Sequence, residues 1–311
     1  MKNQILFSLL AAGVLLASCS KDVTEEGNGP VPGDGQPVAI RLSAGIDAAE
    51  AESKAPVTTS ATVRIEGWEG TAAPNYATTA SKWNSTSSVT VNSTAAAITL
   101  SPAQYYNADG SIKTYIKGWY PTVASNSGTV TFTNNDGTVD VLYASEVSGS
   151  KSSVVSSPLV FKHKSVQLVF KVKRDASLAS GTKIKTIKVK NTAIPTSLAL
   201  SSNTVSYTTK SELAVPNVTV AEIGTTEAVA GQPLMVRPET NLNSVKLYVE
   251  TVKADGTTTA ATYDNVALTT SDNKLTEGSA YTIVLTFKQA GISLKGNITP
   301  WTTATGTADV I

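Results

Sequence analysis

Cysteine is almost missing from this chain. Cys19 is the only one in 311 residues. An internal disulfide is therefore excluded, and once Cys19 is acylated no thiolate metal site is left either. Histidine is just as scarce. His163 stands alone, which excludes a multi-histidine metal site and any triad needing a second histidine within one chain. Net charge is missing too: Lys and Arg number 25 against 24 Asp and Glu, and loss of a leader carrying Lys2 balances them. Nucleic acid and anionic membrane faces need a clear basic excess, so neither is expected as a partner. The glycines form no Gly-x-Gly-x-x-Gly for phosphates. Asp109-Gly110, Asp136-Gly137 and Asp255-Gly256 are single turn dipeptides, far short of a Ca²⁺ loop. No cofactor is expected. Methionine is nearly absent while Ser, Thr, Val and Ala abound, a balance that favours strands over helices.

One long apolar run is present, and it comes first. Ile5 to Leu16 follows a polar start with one cation, Lys2. About 12 residues suit the core of a secretion signal and fall short of the roughly 20 that span a bilayer as a helix. The run ends in Leu16-Ala17-Ser18-Cys19, which resembles the bacterial lipobox, where the cysteine is acylated and the chain is cut just before it. Residues 1–18 are thus expected to leave as a lipoprotein signal, with Cys19 holding the protein to outer-membrane lipid. Several acyl chains anchor firmly where one binds only marginally. Residues 19–37 are rich in Gly, Pro and charge, cannot bury a core and read as a flexible tether.

From residue 38 the pattern changes to period two. Val38, Ile40, Leu42 and Ala44 face one way, while Ala39, Arg41 and Ser43 face the other, which predicts a half-buried strand. A polar, cleavable-looking stretch around Lys54 and Ala55 follows. Short strands are then predicted at 62–68, 89–91, 98–100, 112–120, 129–133 and 139–144, with turn signals between them. Ser145–Ser157 is Ser/Gly/Val-rich and marks an expected division into domains of residues 38–156 and 157–311. Beyond it, Leu159, Phe161 and His163 share one phase. Val166, Leu168, Phe170 and Val172 share the opposite one, so a bulge or strand break is predicted at Lys164-Ser165. Further strands are expected at 183–190, 205–208, 218–221, 234–237, 245–250, 263–268, 281–287 and 292–298. Leu275-Thr276-Glu277-Gly278-Ser279-Ala280-Tyr281 resembles the tyrosine corner of Greek-key sandwiches. The expected fold is all-β, with two sandwich domains in tandem.

Little in the chain points to catalysis. His163 lies on the apolar phase of its strand and reads as a core or interface histidine. The closest acidic pairs are Glu66/Glu69, Asp136/Asp140 and Glu25/Glu26, and nothing selects one of them to face a cleft as a glycosidase would need. No enzyme is expected. Trp68, Trp83, Trp119 and Trp301 read as core, with sugar stacking as the other use of such residues. Lys183, Lys185, Lys188 and Lys190 crowd one segment, more in keeping with a guarded sheet edge than with a basic binding face.

Taken in order, several motifs resemble the fimbrillin-like lipoproteins of Bacteroidetes, whose polymerising members are the type V pilins. They are Leu-Ala-Ser-Cys-Ser-Lys-Asp, then Ile40-Arg41-Leu42-Ser43-Ala44-Gly45-Ile46 with Ser53-Lys54-Ala55. Next come Lys117-Gly118-Trp119-Tyr120-Pro121, Asp140-Val141-Leu142-Tyr143-Ala144 and Leu159-Val160-Phe161-Lys162-His163. The tyrosine-corner segment leads to Ile298-Thr299-Pro300-Trp301. The resemblance implies transthyretin-like domains, export as a lipoprotein and display at the cell surface, in a fimbrium after processing. It also implies that an Arg-directed protease removes the first strand, here carrying Val38, Ile40, Leu42 and Ala44, and that a neighbouring pilin subunit fills the groove by β-strand addition.

In this chain the cut would follow Lys54, with Arg41 inside the strand as the nearest arginine. The apolar residues of the tail are small except Val310 and Ile311, so that with Ala308 they make a poor donor strand, which suits a tip or accessory subunit or one that never polymerises. The expected function is a structural or adhesive pilus subunit that meets a host or bacterial surface ligand. The alternative is a lipid-anchored glycan-binding sandwich, which would need Trp68, Trp83 and Trp119 exposed on one flat face.

Overall fold

The computed structural model describes residues 36–47, 60–90, 95–133, 136–289 and 291–300, with side chains through 297. These hold twenty strands and no helix. The first sheet has seven strands, in the order β3 (Trp83–Thr90), β2 (Ser60–Gly70), β5 (Lys113–Tyr120), β7 (Leu142–Gly149), β8 (Leu159–His163), β1 (Leu42–Ile46) and β4 (Ala96–Ile98). Its pairs are antiparallel except β1 with β8, which run parallel with Ala44 opposite Leu159 and Ile46 opposite Phe161. The sheet curls so that its end strands β3 and β4 approach each other. There the Ser101 N–H donates to Ser85 Oγ at 3.1 Å.

The central strand β5 departs from simple alternation, because both faces of this sheet are covered. Ile116 joins Ile40, Leu42, Ile46, Val63, Ile65, Leu142, Leu159 and Phe161 in the core on one face. Tyr115 and Trp119, one residue before and three after Ile116 and so in the other phase, join Trp68, Tyr76, Tyr143 and Val141 on the opposite face. That second face is closed by a three-stranded sheet, β12 (Thr204–Tyr207), β11 (Pro195–Ala199) and β6 (Thr129–Thr131), which contributes Leu198, Leu200, Val205 and Val130.

Two more sheets pack face to face beyond residue 165. One runs β13 (Ser211–Ala214), β10 (Lys183–Thr192), β17 (Lys246–Val252), β18 (Thr259–Ala267), with β14 (Ala221–Glu222) also on β10. The other runs β15 (Ala228–Val229), β9 (Val166–Arg174), β19 (Ser279–Lys288), β20 (Gly291–Pro300), with β16 (Leu234–Val236) also on β9. Their inward residues, among them Leu168, Phe170, Ile187, Val189, Leu247, Val249, Ile283, Leu285 and Phe287, form one apolar core. This is the sandwich architecture expected of period-two strands whose apolar sides face inward. The tyrosine corner is present. Tyr281 is fully buried, and its Oη accepts from the Thr276 N–H at 2.9 Å, with Gly278 at φ +71° making the turn.

The phase slip at Lys164-Ser165 is a strand break: β8 stays in the first sheet and β9 starts the next sandwich. The expected division at 156–157 falls between β7 and β8, which are hydrogen-bonded neighbours. The Ser/Gly-rich stretch after Ala144 does not leave the sheet, because β7 continues through Gly149, paired with Thr114.

Candidate strand-exchange site and the surfaces around it

The first strand sits where its sequence pattern directs it. Ile40 and Leu42 are 5% exposed, Ala44 2% and Ile46 0%, while Val38 is half-buried and Arg41 points to solvent. Each of Ile40, Leu42 and Ile46 contributes roughly 1.5–3 kcal/mol by burial. The backbone is held on both sides. On one, Leu42, Ser43 and Ala44 pair with Ile98, Ala97 and Ala96 of β4. On the other, β1 runs beside β8, and the Asp47 N–H donates to Phe161 O at 2.9 Å. Before the strand proper, the Ile40 N–H donates to Gln104 O at 2.7 Å and Val38 O accepts from the Tyr106 N–H at 3.0 Å. The strand was expected to end at Ala44. It runs instead from Leu42 to the fully buried Ile46, and Val38–Arg41 precede it, held by an isolated bridge between Ala39 and Tyr105 rather than by a ladder.

Removing β1 would uncover one edge of β8 and an apolar slot between β8 and β4. Among the described residues β4 has no other strand partner. Bare backbone donors and acceptors beside bare apolar surface make a template for an incoming strand. Cys19, Lys54, Ala55, Ala308, Val310 and Ile311 lie outside the described residues; Lys54 and Ala55 fall in the chain joining β1 to β2.

The aromatic and acidic residues weighed as sites have other work. Trp68, Trp83 and Trp119 are 1%, 8% and 0% exposed, so they are core and form no flat sugar-stacking face; Trp301 lies outside the described residues. Glu66 accepts from Arg64 Nε at 2.6 Å and from Ser125 Oγ at 2.9 Å, whereas Glu69 accepts from Asn107 Nδ2 at 2.9 Å. Asp140 is fully buried against His163 Nδ1 at 2.8 Å, while Asp136 accepts from the Thr138 N–H in a turn. His163 is thus a core histidine with a carboxylate partner.

The four lysines of β10 are not at an edge, contrary to expectation. β17 lies on one side of the strand, β13 and β14 on the other. A register shift between Ile184 and Thr186 lets Ile184, Ile187 and Val189 all face the core. The lysines project from the outer face and pair across strands: Lys185 with Glu250 at 2.8 Å, Lys188 with Glu212 at 2.8 Å, and Lys190 with Asp264. The partners come from three different strands, so the local sequence around 183–190 could not reveal them.

One buried group escaped the sequence reading. Lys117, 3% exposed, shares the phase of Tyr115 and Trp119 and so points into the second face of the first sheet. Its Nζ donates to Leu200 O at 2.6 Å, to Tyr143 Oη at 3.3 Å and to Asn203 Oδ1 at 3.3 Å. Glu146 Oε2 lies 3.8 Å away, and the Tyr76 ring sits 4.2 Å from the nitrogen. Burial pushes the Lys117 ammonium down from its ordinary pKa, with the Glu146 carboxylate opposing. The visible signal was a lysine between two aromatics of one phase in Tyr115-Ile116-Lys117-Gly118-Trp119.

Comparison with curated proteins finds no match. Among solved structures, the fold is similar to a candidate cell adhesion protein from Bacteroides uniformis at 20% identity and TM-score 0.56, covering 87% of this chain and 100% of that one. It is also similar to a fimbrial protein from Bacteroides vulgatus at 17% identity and TM-score 0.51, covering 84% of this chain and 99% of that one. A candidate cell adhesion protein from Bacteroides ovatus gives 16% identity and TM-score 0.50, over 87% of this chain and 100% of that one. The sequence model described as fimbrillin-like matches residues 53–301, most of the chain, and the protein belongs to that family.

Proposed function

We propose that this chain is a non-enzymatic structural or adhesive subunit of a cell-surface fimbria. It is exported as a lipoprotein acylated at Cys19 and assembled by exchange of its first strand. The observation that carries this reading is the position of β1. The strand is paired on both sides and buries Ile40, Leu42 and Ile46, yet only the segment holding Lys54 and Ala55 ties it to β2. Cleavage after Lys54 leaves a slot whose refilling by a partner's strand restores both the hydrogen bonds and the apolar contacts. The fimbrillin-like family membership supports the same reading.

In this scheme Cys19, the tether and β1 leave together, so lipid anchoring is a stage of transport. The tail residues Ala308, Val310 and Ile311 form a weak donor strand, which fits a tip or accessory subunit that accepts a strand and meets a surface ligand. The test is limited digestion of purified precursor with a trypsin-like protease, followed by N-terminal sequencing and sizing. The expected product begins at Ala55, loses β1 and forms strand-exchanged oligomers. A product that retains β1 and stays monomeric overturns the assembly mechanism.

A further inference from the structure

Lys117 poses a question that strand exchange does not answer. A lysine is almost never this deeply buried unless it is paired, and here Nζ is contacted by three uncharged oxygens and an aromatic ring, with the Glu146 carboxylate farther off at 3.8 Å. Two of its contacts, Leu200 O and Asn203 Oδ1, come from the turn between β11 and β12, 83 and 86 residues along the chain. Asn203 is held there at φ +59°, with its N–H donating to Ala199 O at 2.8 Å, so its side-chain amide is presented to Nζ by a closed turn. We propose that Lys117 and Asn203 form an intramolecular isopeptide bond, with Glu146 carrying the proton.

The chemistry balances without any outside reagent. The neutral Lys117 amine attacks Asn203 Cγ, the carbon one bond from the oxygen already in contact with Nζ. A new bond forms between Nζ and Cγ, the bond from Cγ to Nδ2 breaks, and ammonia leaves. Glu146 takes the proton shed by the attacking amine and returns it to the departing nitrogen. No oxidant, reductant or cofactor is consumed, because one amide is exchanged for another.

Each requirement of that step has a counterpart in the site. The amine must be neutral to attack, and burial favours that form. The proton needs an acceptor near Nζ. Burial holds the phenols of Tyr76 and Tyr143 protonated, which leaves the Glu146 carboxylate at 3.8 Å for the task. Tyr76 is a positioning residue: its hydroxyl donates to Glu146 Oε2 while its ring lies against Nζ. Ammonia needs a way out. Asn203 is half-buried and lines a groove of about 650 Å³ with Tyr207, Lys164 and Arg237. The bond would fasten β5 of the first sheet to the hairpin that covers its second face. That face would then stay closed whatever happens to β1 on the other.

Intact-mass measurement of the purified, folded full chain decides the matter. The expected mass is lower than that of the sequence by one ammonia. Protease digestion should yield one branched peptide joining the segments around Lys117 and Asn203, with no tryptic cut after Lys117. Asn203→Gly, which keeps the positive φ of the turn, and Lys117→Met should both show the full sequence mass and no branched peptide. Glu146→Gln should cross-link more slowly or not at all. Folded wild-type protein at full sequence mass, with no branched peptide, overturns the proposal whatever the variants do. Cross-linking at an undiminished rate in Glu146→Gln overturns the proton-carrying role of that residue.

Discussion

Gly118 has no room for a side chain. A Cβ there would lie 2.6 Å from Phe161 Cζ and 2.9 Å from Cε1, and Phe161 is itself fully buried. The glycine is needed for this close approach of β5 to β8's aromatic ring, since its backbone is not among those in the left-handed region. Gly118→Ala must push Phe161 off its packing, and overpacking of this kind costs about 1–3 kcal/mol. Urea unfolding of the variant should show that loss with an unchanged m-value. A stability equal to wild type would mean that Phe161 does not fill this space. Residues of this kind differ in how well a sequence reveals them. Tyr281 was legible because its corner motif is local, spanning Leu275 to Tyr281. His163 was legible as core from its phase, but its partner Asp140 was not, since 23 residues separate them. Lys117 could be marked as odd, a cation in an aromatic phase. Its neighbours Leu200 and Asn203 come from a hairpin that only the folded chain brings near.

At the scale of elements, β10 separates surface charge from stability. Lys188 and Glu212 are 36% and 40% exposed in their side chains and 2.8 Å apart, and water screens such a pair. Lys188 also stands 5.2 Å from the Tyr248 ring. Lys188→Gln is therefore expected to shift stability by no more than about 1 kcal/mol. The apolar partners on the same strand, Ile187 and Val189, carry its place in the core. An unfolding free energy lower by more than about 3 kcal/mol in Lys188→Gln would mean that the pair is far more desolvated than its exposure allows. Most long strands were legible from alternation: β1, β2, β5, β9, β10, β17 and β19 all overlap their predicted spans. β11 and β13 were not foreseen. Pro195-Thr-Ser-Leu-Ala and Ser211-Glu-Leu-Ala each hold one large apolar residue, and they become strands because β12 and β6, or β10, pair with them. The reverse happened at 218–221. There Val218 packs on the core, but only Ala221–Glu222 enters a ladder. The exchange slot was legible in part: the sequence marked the strand that leaves, while its neighbours β4 and β8 emerged only from the pairing.

Across the whole molecule, tyrosine burial links folding to alkaline pH. Burial raises the phenols of Tyr76, Tyr106, Tyr120, Tyr143, Tyr207 and Tyr263 above their ordinary value of 10.0, and in each it is the largest cause. These residues are spread over all three apolar cores, so the effect belongs to no single element. The sign follows from proton counting. Near pH 10 the unfolded chain begins to lose phenolic protons that the folded chain keeps, so the native state binds more protons and stability falls as pH rises. Lys117 acts the other way: its lowered value lets the folded amine lose its proton first, so that single group recovers stability as pH climbs toward 10.5. Six phenols outweigh one amine, and if Lys117 is tied to Asn203 as an amide it no longer titrates and only the fall remains. Thermal unfolding midpoints should therefore decline steeply above pH 10, and the tyrosinate absorption band should rise together with loss of the fold. Tyrosinate absorption at half its maximum by about pH 10 with the fold intact would show these phenols to be in contact with water, which would contradict the packing of all three cores.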